Sequence, residues 1–264
     1  MSGYNVPPLN ESSRQNAALL EQMRQHMSNL IAATHLLTPA VREAGDVKYD
    51  QYLAIASQSV YRILRLINHL ELSQTLMRGG VPYRPATLDL AGLCRETADE
   101  ASPLAELAGI SFRYESEVAS LLTTGDSGLL RRLLLGLFSN ALRAAGEGGE
   151  AGLHLQKQKT RAVLTVWDNG PGLAEEELSQ DDGLGLGLSI IRELAALHDG
   201  AVMLESRPER GVRAVVSLPI RPPEGGPPRT PPASKWDLDG GFSPVLVELS
   251  SVLPYGAFLP DDLE

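Results

Sequence analysis

Residues 167–188 read WDNGPGLAEEELSQDDGLGLGL, two glycine clusters separated by an acidic run. Just upstream, residues 163–166 are VLTV, a β-branched run that predicts a strand delivering Asp168 to its end. Gly170 and Gly172 let the chain turn sharply beyond it, so the carboxylate is presented in a cleft. In the second cluster, Gly183, Gly185 and Gly187 open the apolar run LSIIRELAAL. Backbone N–H groups at such a helix start face outward and favour an anion. A carboxylate beside one turn and an anion site at a second match a purine nucleotide, which offers an exocyclic amine and phosphates. Either cluster alone is also ordinary turn or helix-start chemistry; their conjunction carries the nucleotide reading.

The surrounding composition is that of one good core with a smaller unit and a tail: 264 residues, 43% hydrophobic, 5% aromatic. Asp and Glu outnumber Lys and Arg by 33 to 23, giving a net charge of −10, which argues against nucleic acid as a partner. Cys94 is the single cysteine, so no internal disulfide is available, and it sits in an apolar helical pattern as a core residue would. With no signal-like segment and no apolar run of about 18 residues, no membrane span is expected and the expected location is cytoplasmic.

Residues 1–9 carry no periodic pattern and are expected to form a flexible arm. Over 10–80, two apolar seams at alternating spacings of three and four predict a helical hairpin. The first runs through Leu20, Met23, Met27, Leu30, Thr34, Leu37 and Val41, with Pro39 straining the helix. The second runs through Leu53, Ala56, Val60, Ile63, Ile67, Leu70 and Met77. One hairpin covers its own seam poorly, so a four-helix bundle made by a homodimer is expected, with packing against the rest of the chain as the alternative. Residues 81–220 alternate strand and helix patterns: strands at TLDL, ISFRYES, LLTTGD, GLHLQKQ, AVLTVWD, AVMLES and VRAVVSLP, with helices over 91–108, 127–149 and 184–197. Helices on one face of a mixed sheet give an α/β sandwich. The last segment, 221–264, begins as a Pro/Gly-rich linker and ends in the apolar FSPVLVELSSVLPYGAFLP, which is expected to dock on its own chain or on a partner.

The two glycine clusters resemble the glycine boxes of the GHKL ATPases, and the hairpin selects within that superfamily. YLAIASQSVYRILRLINHLELSQ, residues 52–74, resembles the second helix of the dimerisation and histidine-phosphotransfer domain of sensor histidine kinases. The resemblance spans about residues 15–220. It implies an α+β protein: a long helical hairpin, forming a dimeric four-helix bundle, followed by a sandwich of the GHKL (Bergerat) ATP-binding type.

The resemblance also implies roles. Asp168 would accept a hydrogen bond from the adenine amine, with Gly170 and Gly172 lining the base. Gly183, Gly185, Leu186 and Gly187 would approach the phosphates. Asn140 resembles the family's Asn box and would help hold Mg²⁺ on ATP, and Arg143 would offset phosphate charge. The family carries a second Asn where this chain has Gly136, and a Lys where it has Arg143. His198, in His-Asp-Gly, resembles a structural turn. The phenylalanine box and long lid that separate the glycine boxes in many relatives are missing here. The candidate phosphoacceptor is His26, in MRQHMSNLIAAT, although Met27 stands where the family places an acid. His35 lies too near the turn, and His69 is expected on a surface. The implied reaction is autophosphorylation of His26 by ATP and transfer to a response-regulator receiver domain. The alternative is a degenerate relative that acts as a nucleotide-binding scaffold.

Overall fold

The computed structural model describes residues 11–43, 47–172, 186–206, 210–221 and 242–259. The chain divides into two compact units, one made of the residues up to Pro82 with those from Tyr255 onward, the other Tyr83–Pro254. Among the described residues no helix is long and apolar enough to cross a membrane.

The first unit is an antiparallel pair, α1 (Glu11–Glu43) and α2 (Val47–Met77), with α1 running through Pro39. The predicted seams are buried in part, through Leu20, Val60 and Ile67. Leu20, Ile31 and Thr38 are buried on α1, and Ala54, Ser57, Tyr61, Leu64 and Leu72 on α2. Met23, Leu30, Leu37, Ile63, Leu70 and Met77, all assigned to the seams by hydrophobicity, are exposed. The inner face sets Thr38, Ala54 and Ser57, small or hydroxylic residues that a hydrophobicity count passes over, among large apolar ones. Ser28, Thr34 and Thr38 donate to the carbonyls of Arg24, Ile31 and Thr34, so each hydroxyl is satisfied by its own helix and the side chain packs as a small apolar group. An Arg24–Glu71 ion pair links the two helices. His69 is also buried, not at a surface as expected.

The second unit holds a five-stranded sheet in the order β2-β4-β5-β7-β6, made of β2 (Ser111–Ser116), β4 (Glu150–Gln158), β5 (Arg161–Asp168), β6 (Ala201–Ser206) and β7 (Val212–Pro219). A separate pair joins β1 (Ala86–Asp89) to β3 (Leu122–Gly125). β2 lies parallel to β4, and the remaining neighbours are antiparallel, which makes the sheet mixed as expected. Helices α3 (Leu90–Leu107), α4 (Ser127–Ala145) and α5 (Leu186–Leu197) pack on it. Period-2 alternation sends Ala162, Leu164 and Val166 of β5 into the core beside Leu153, Leu155 and Val216 of the flanking strands. Cys94 is buried in α3, where desolvation pushes its thiol up to about 12 and leaves it unreactive at neutral pH.

The apolar end of the chain docks on both units in turn. Helix α6 (Pro244–Leu249), capped by Ser243, packs on α4 in the second unit, where Ser139 Oγ donates to the Glu248 carbonyl at 3.1 Å. A 3-10 turn, Tyr255–Phe258, packs on α2 in the first, with the Phe258 ring 5.1 Å from that of Tyr61.

Candidate functional site

Asp168 is the last residue of β5, and the alternation that buries Ala162, Leu164 and Val166 carries it to the same helix-covered face. The side chain is 6% exposed, and burial raises its pKa against the lowering effect of two backbone hydrogen bonds. Both bonds fall on one oxygen: Oδ1 accepts from Gly170 N–H at 3.0 Å and from Val212 N–H at 3.2 Å. Oδ2 accepts no hydrogen bond from the described residues and remains available to a ligand donor.

The turn beyond it is held in place by close approach. A Cβ on Gly170 would lie 2.2 Å from the Ala144 carbonyl oxygen of α4, so only glycine fits. Asn169 Oδ1 accepts from Glu150 N–H at 2.8 Å and pins the turn to the start of β4. On the other side, Gly211 has φ +79°, and a Cβ there would meet the Asp168 carbonyl oxygen at 2.0 Å. Gly211 and Val212 escaped the sequence reading. Their role depends on β7 lying beside β5, which no local pattern announces.

Helix α4 forms the wall of the site. It starts at Asp126, whose Oδ1 accepts from Leu129 N–H, and ends at Gly146, with φ +67°. Gly136, Asn140 and Ala144 follow at intervals of four and share one face. One end of that face meets α5, since a Cβ on Gly136 would touch Ile191 at 3.4 Å. The other end meets the Asp168 turn through Ala144 and Gly170. Asn140 therefore stands between the Asp168 turn and α5. Its Oδ1 accepts from Arg143 Nη2 at 3.0 Å.

Leu186 begins α5, and Gly187 is buried in its first turn. Gly172 closes the Asp168 turn at φ +79°. Gly183, Gly185 and the acidic run from Glu175 to Asp182 lie outside the described residues. The structure thus gathers Asn140, Arg143, Asp168, Gly170 and Gly172 in the second unit, while His26 is exposed on α1 in the first.

His198 is buried and serves the fold. Its Nε2 accepts from Asp126 N–H at 3.1 Å, so the proton resides on Nδ1, which donates to the Leu194 carbonyl at 2.8 Å. Desolvation lowers its pKa from the usual 6.5. The unfolded chain therefore takes up a proton first as pH falls, and the stability from the neutral ring, complete above about 6.5, declines below it. The thermal midpoint, followed by circular dichroism, should drop as pH is lowered below 6.5. In His198→Gln that part of the pH slope should vanish.

Comparison with known proteins identifies this architecture. Residues 125–222 match the family described as histidine kinase-, DNA gyrase B- and HSP90-like ATPase. The chain is 30% identical over 218 residues to the sensor protein KdpD of Escherichia coli (strain K12), covering 77% of this chain and 24% of that protein. It is 27% identical over 226 residues to the sensor histidine kinase TmoS of Ectopseudomonas mendocina, covering 79% of this chain and 23% of TmoS. It therefore spans about a quarter of the length of these relatives. Among solved structures, full-length ShkA in complex with AMPPNP matches with a TM-score of 0.64 and 26% identity, over 79% of this chain and 46% of ShkA. The sandwich carrying Asp168 and Asn140 is an ATP-binding domain of the GHKL superfamily, of the type found in sensor histidine kinases.

Proposed function

We propose that the chain is a homodimeric histidine kinase that binds ATP in the cleft bounded by the Asp168 turn, α4 and α5, and phosphorylates itself on His26. The observation that carries the nucleotide assignment is the division of labour on Asp168: Oδ1 is spent on two backbone N–H groups, and Oδ2 is left to accept the adenine amine. Gly170 and Gly172 line the base, and Gly183, Gly185, Leu186 and Gly187 surround the phosphates.

A nitrogen of the His26 imidazole attacks the γ-phosphorus, and the bond to the β,γ-bridging oxygen breaks to release ADP. The imidazole proton passes to water, since no acid follows His26. In the second step an aspartate oxygen of a receiver domain attacks the same phosphorus and the P–N bond breaks. Positioning and charge neutralisation carry such transfers, and Arg143 supplies positive charge beside Asn140. The dimer reading is supported by an apolar stripe left exposed on the hairpin: Met23, Leu30 and Leu37 at heptad spacing on α1, and Ile55, Ile63, Leu66 and Leu70 on α2. The cytoplasm, where ATP and receiver domains meet, is the proposed location.

The test is incubation with γ-labelled ATP. An acid-labile, alkali-stable label is expected on the wild type and absent from His26→Ala. Nucleotide binding without label would instead support the second reading, a nucleotide-gated scaffold. Met27 favours that reading: it occupies the place after His26 where an acid would orient or deprotonate the ring.

A further inference from the structure

The second unit begins at Tyr83, a few residues beyond the end of α2, and its entry segment is held at a single buried residue. Asp126 Oδ2 accepts from Arg84 N–H at 2.9 Å, while Oδ1 accepts from Leu129 N–H at 3.1 Å and caps α4. The Asp126 carbonyl accepts from Leu130 N–H at 3.0 Å, and its own N–H donates to His198 Nε2 at 3.1 Å. His198 Nδ1 donates in turn to the Leu194 carbonyl in the last turn of α5. The Tyr83 ring stands edge-on to the His198 ring, with centroids 5.1 Å apart. On the other side a Cβ on Gly125 would press on His198 at 3.2 Å, so the imidazole is closely confined.

Asp126 thus joins three elements: the entry segment, the start of α4 and the end of α5. The opposite ends of the same two helices bound the cleft, through Asn140 and Ala144 on α4 and through Leu186 and Gly187 in the first turn of α5. Asn140 lies about 20 Å along α4 from Asp126. Over that length a helix tilt of about 5° displaces the far end by roughly 2 Å, more than a hydrogen bond tolerates. A ligand touching both helices in the cleft holds their mutual angle, and with it the geometry where their other ends meet. We propose that the Asp126–His198 junction couples the entry segment to adenine nucleotide binding: occupation of the cleft tightens the Arg84–Asp126 bond, and release of that bond loosens the nucleotide. Contiguous hydrogen bonds through two stiff helices carry the coupling, and as a difference in binding free energy it acts equally in both directions. A displacement of the chain just beyond α2 is therefore read at the cleft.

This inference rests on the nucleotide reading above, and its test separates the two. Hydrogen exchange at the Arg84 amide of the full chain is followed with and without saturating ADP, whose binding is measured by titration calorimetry. ADP should slow that exchange about fivefold or more. Asp126→Asn offers one acceptor oxygen in place of two, so the α4 cap is kept and the Arg84 bond is lost. It should weaken ADP by the factor by which ADP slows exchange in the wild type, since both quantities read one coupling constant. Tyr83→Leu keeps an apolar group but removes the ring edge from His198; it should shrink the exchange response, and it carries the test if Asp126→Asn does not fold. An Arg84 exchange rate that changes by less than about twofold on ADP binding, or variants that bind ADP and respond as the wild type does, would overturn the proposal while leaving the nucleotide site standing. Absence of ADP binding in the wild type would overturn the site itself and this inference with it.

Discussion

Asp168→Asn is expected to lose nucleotide affinity by roughly a hundredfold while the empty protein becomes no less stable. The loss follows from the orientation forced on the new amide. Gly170 and Val212 both present N–H groups to one side of the carboxyl, so Asn must place its oxygen there. Its NH₂ then occupies the position of Oδ2 and faces the adenine amine, donor against donor, in a buried setting. Stability moves the other way. Burial raises the Asp168 pKa, so the folded state holds the proton more tightly than the unfolded chain does. Stability from this group is present in full below the unfolded value of 3.8 and is lost as pH rises through the folded value. At neutral pH the ionised carboxylate is a cost that the fold carries for its ligand, and a neutral amide of the same shape removes it. Calorimetric titration with ADP and thermal unfolding at neutral pH read the two halves of this prediction. Retained affinity, or a large fall in the thermal midpoint, would show that Asp168 holds the fold rather than the base.

A chain ending at Arg221 is expected to lose cooperative folding of the second unit, although the sheet and its helices would remain intact in sequence. Val245, Leu246, Val247, Leu249 and Leu253 are all buried in the full chain, and α6 lies on α4. At about 1.5–3 kcal/mol for each side chain, their removal costs on the order of 10 kcal/mol, comparable to the whole stability of a domain. The Ser139 hydroxyl also loses the Glu248 carbonyl, one residue from Asn140 on the wall of the nucleotide site. Leu249→Ala gives a graded version. With no exposed surface in the full chain, Leu249 should cost about 2–5 kcal/mol when truncated. Far-UV circular dichroism of the shortened chain and thermal melts of Leu249→Ala provide the measurements. A shortened chain that melts cooperatively at the wild-type midpoint would mean that the tail rests on α4 without supporting it.

What the sequence by itself determined was whatever depends on local periodicity and backbone chemistry. The alternation in RAVLTVWD sets both the strand and the face on which Asp168 is buried. Asp126 as the cap of α4 was also legible, because these signals act within a few residues. The hairpin was legible as a hairpin, and its buried face only in part, through Leu20, Val60 and Ile67. Each helix carries more apolar positions than one face can bury, and the buried positions include Thr38 and Ser57, whose burial no hydrophobicity pattern registers. Only the tertiary structure decided the rest. The neighbouring of β7 and β5 brings Gly211 and Val212 to the Asp168 carboxyl from more than forty residues away. The docking of α6 on α4 and the capture of Asn140 by Arg143 likewise depend on which surfaces meet and which rotamers they select. Periodicity states which residues share a face; the packed chain alone states what that face touches, and here those contacts set the charge and the hydrogen-bonding vacancy of the nucleotide site.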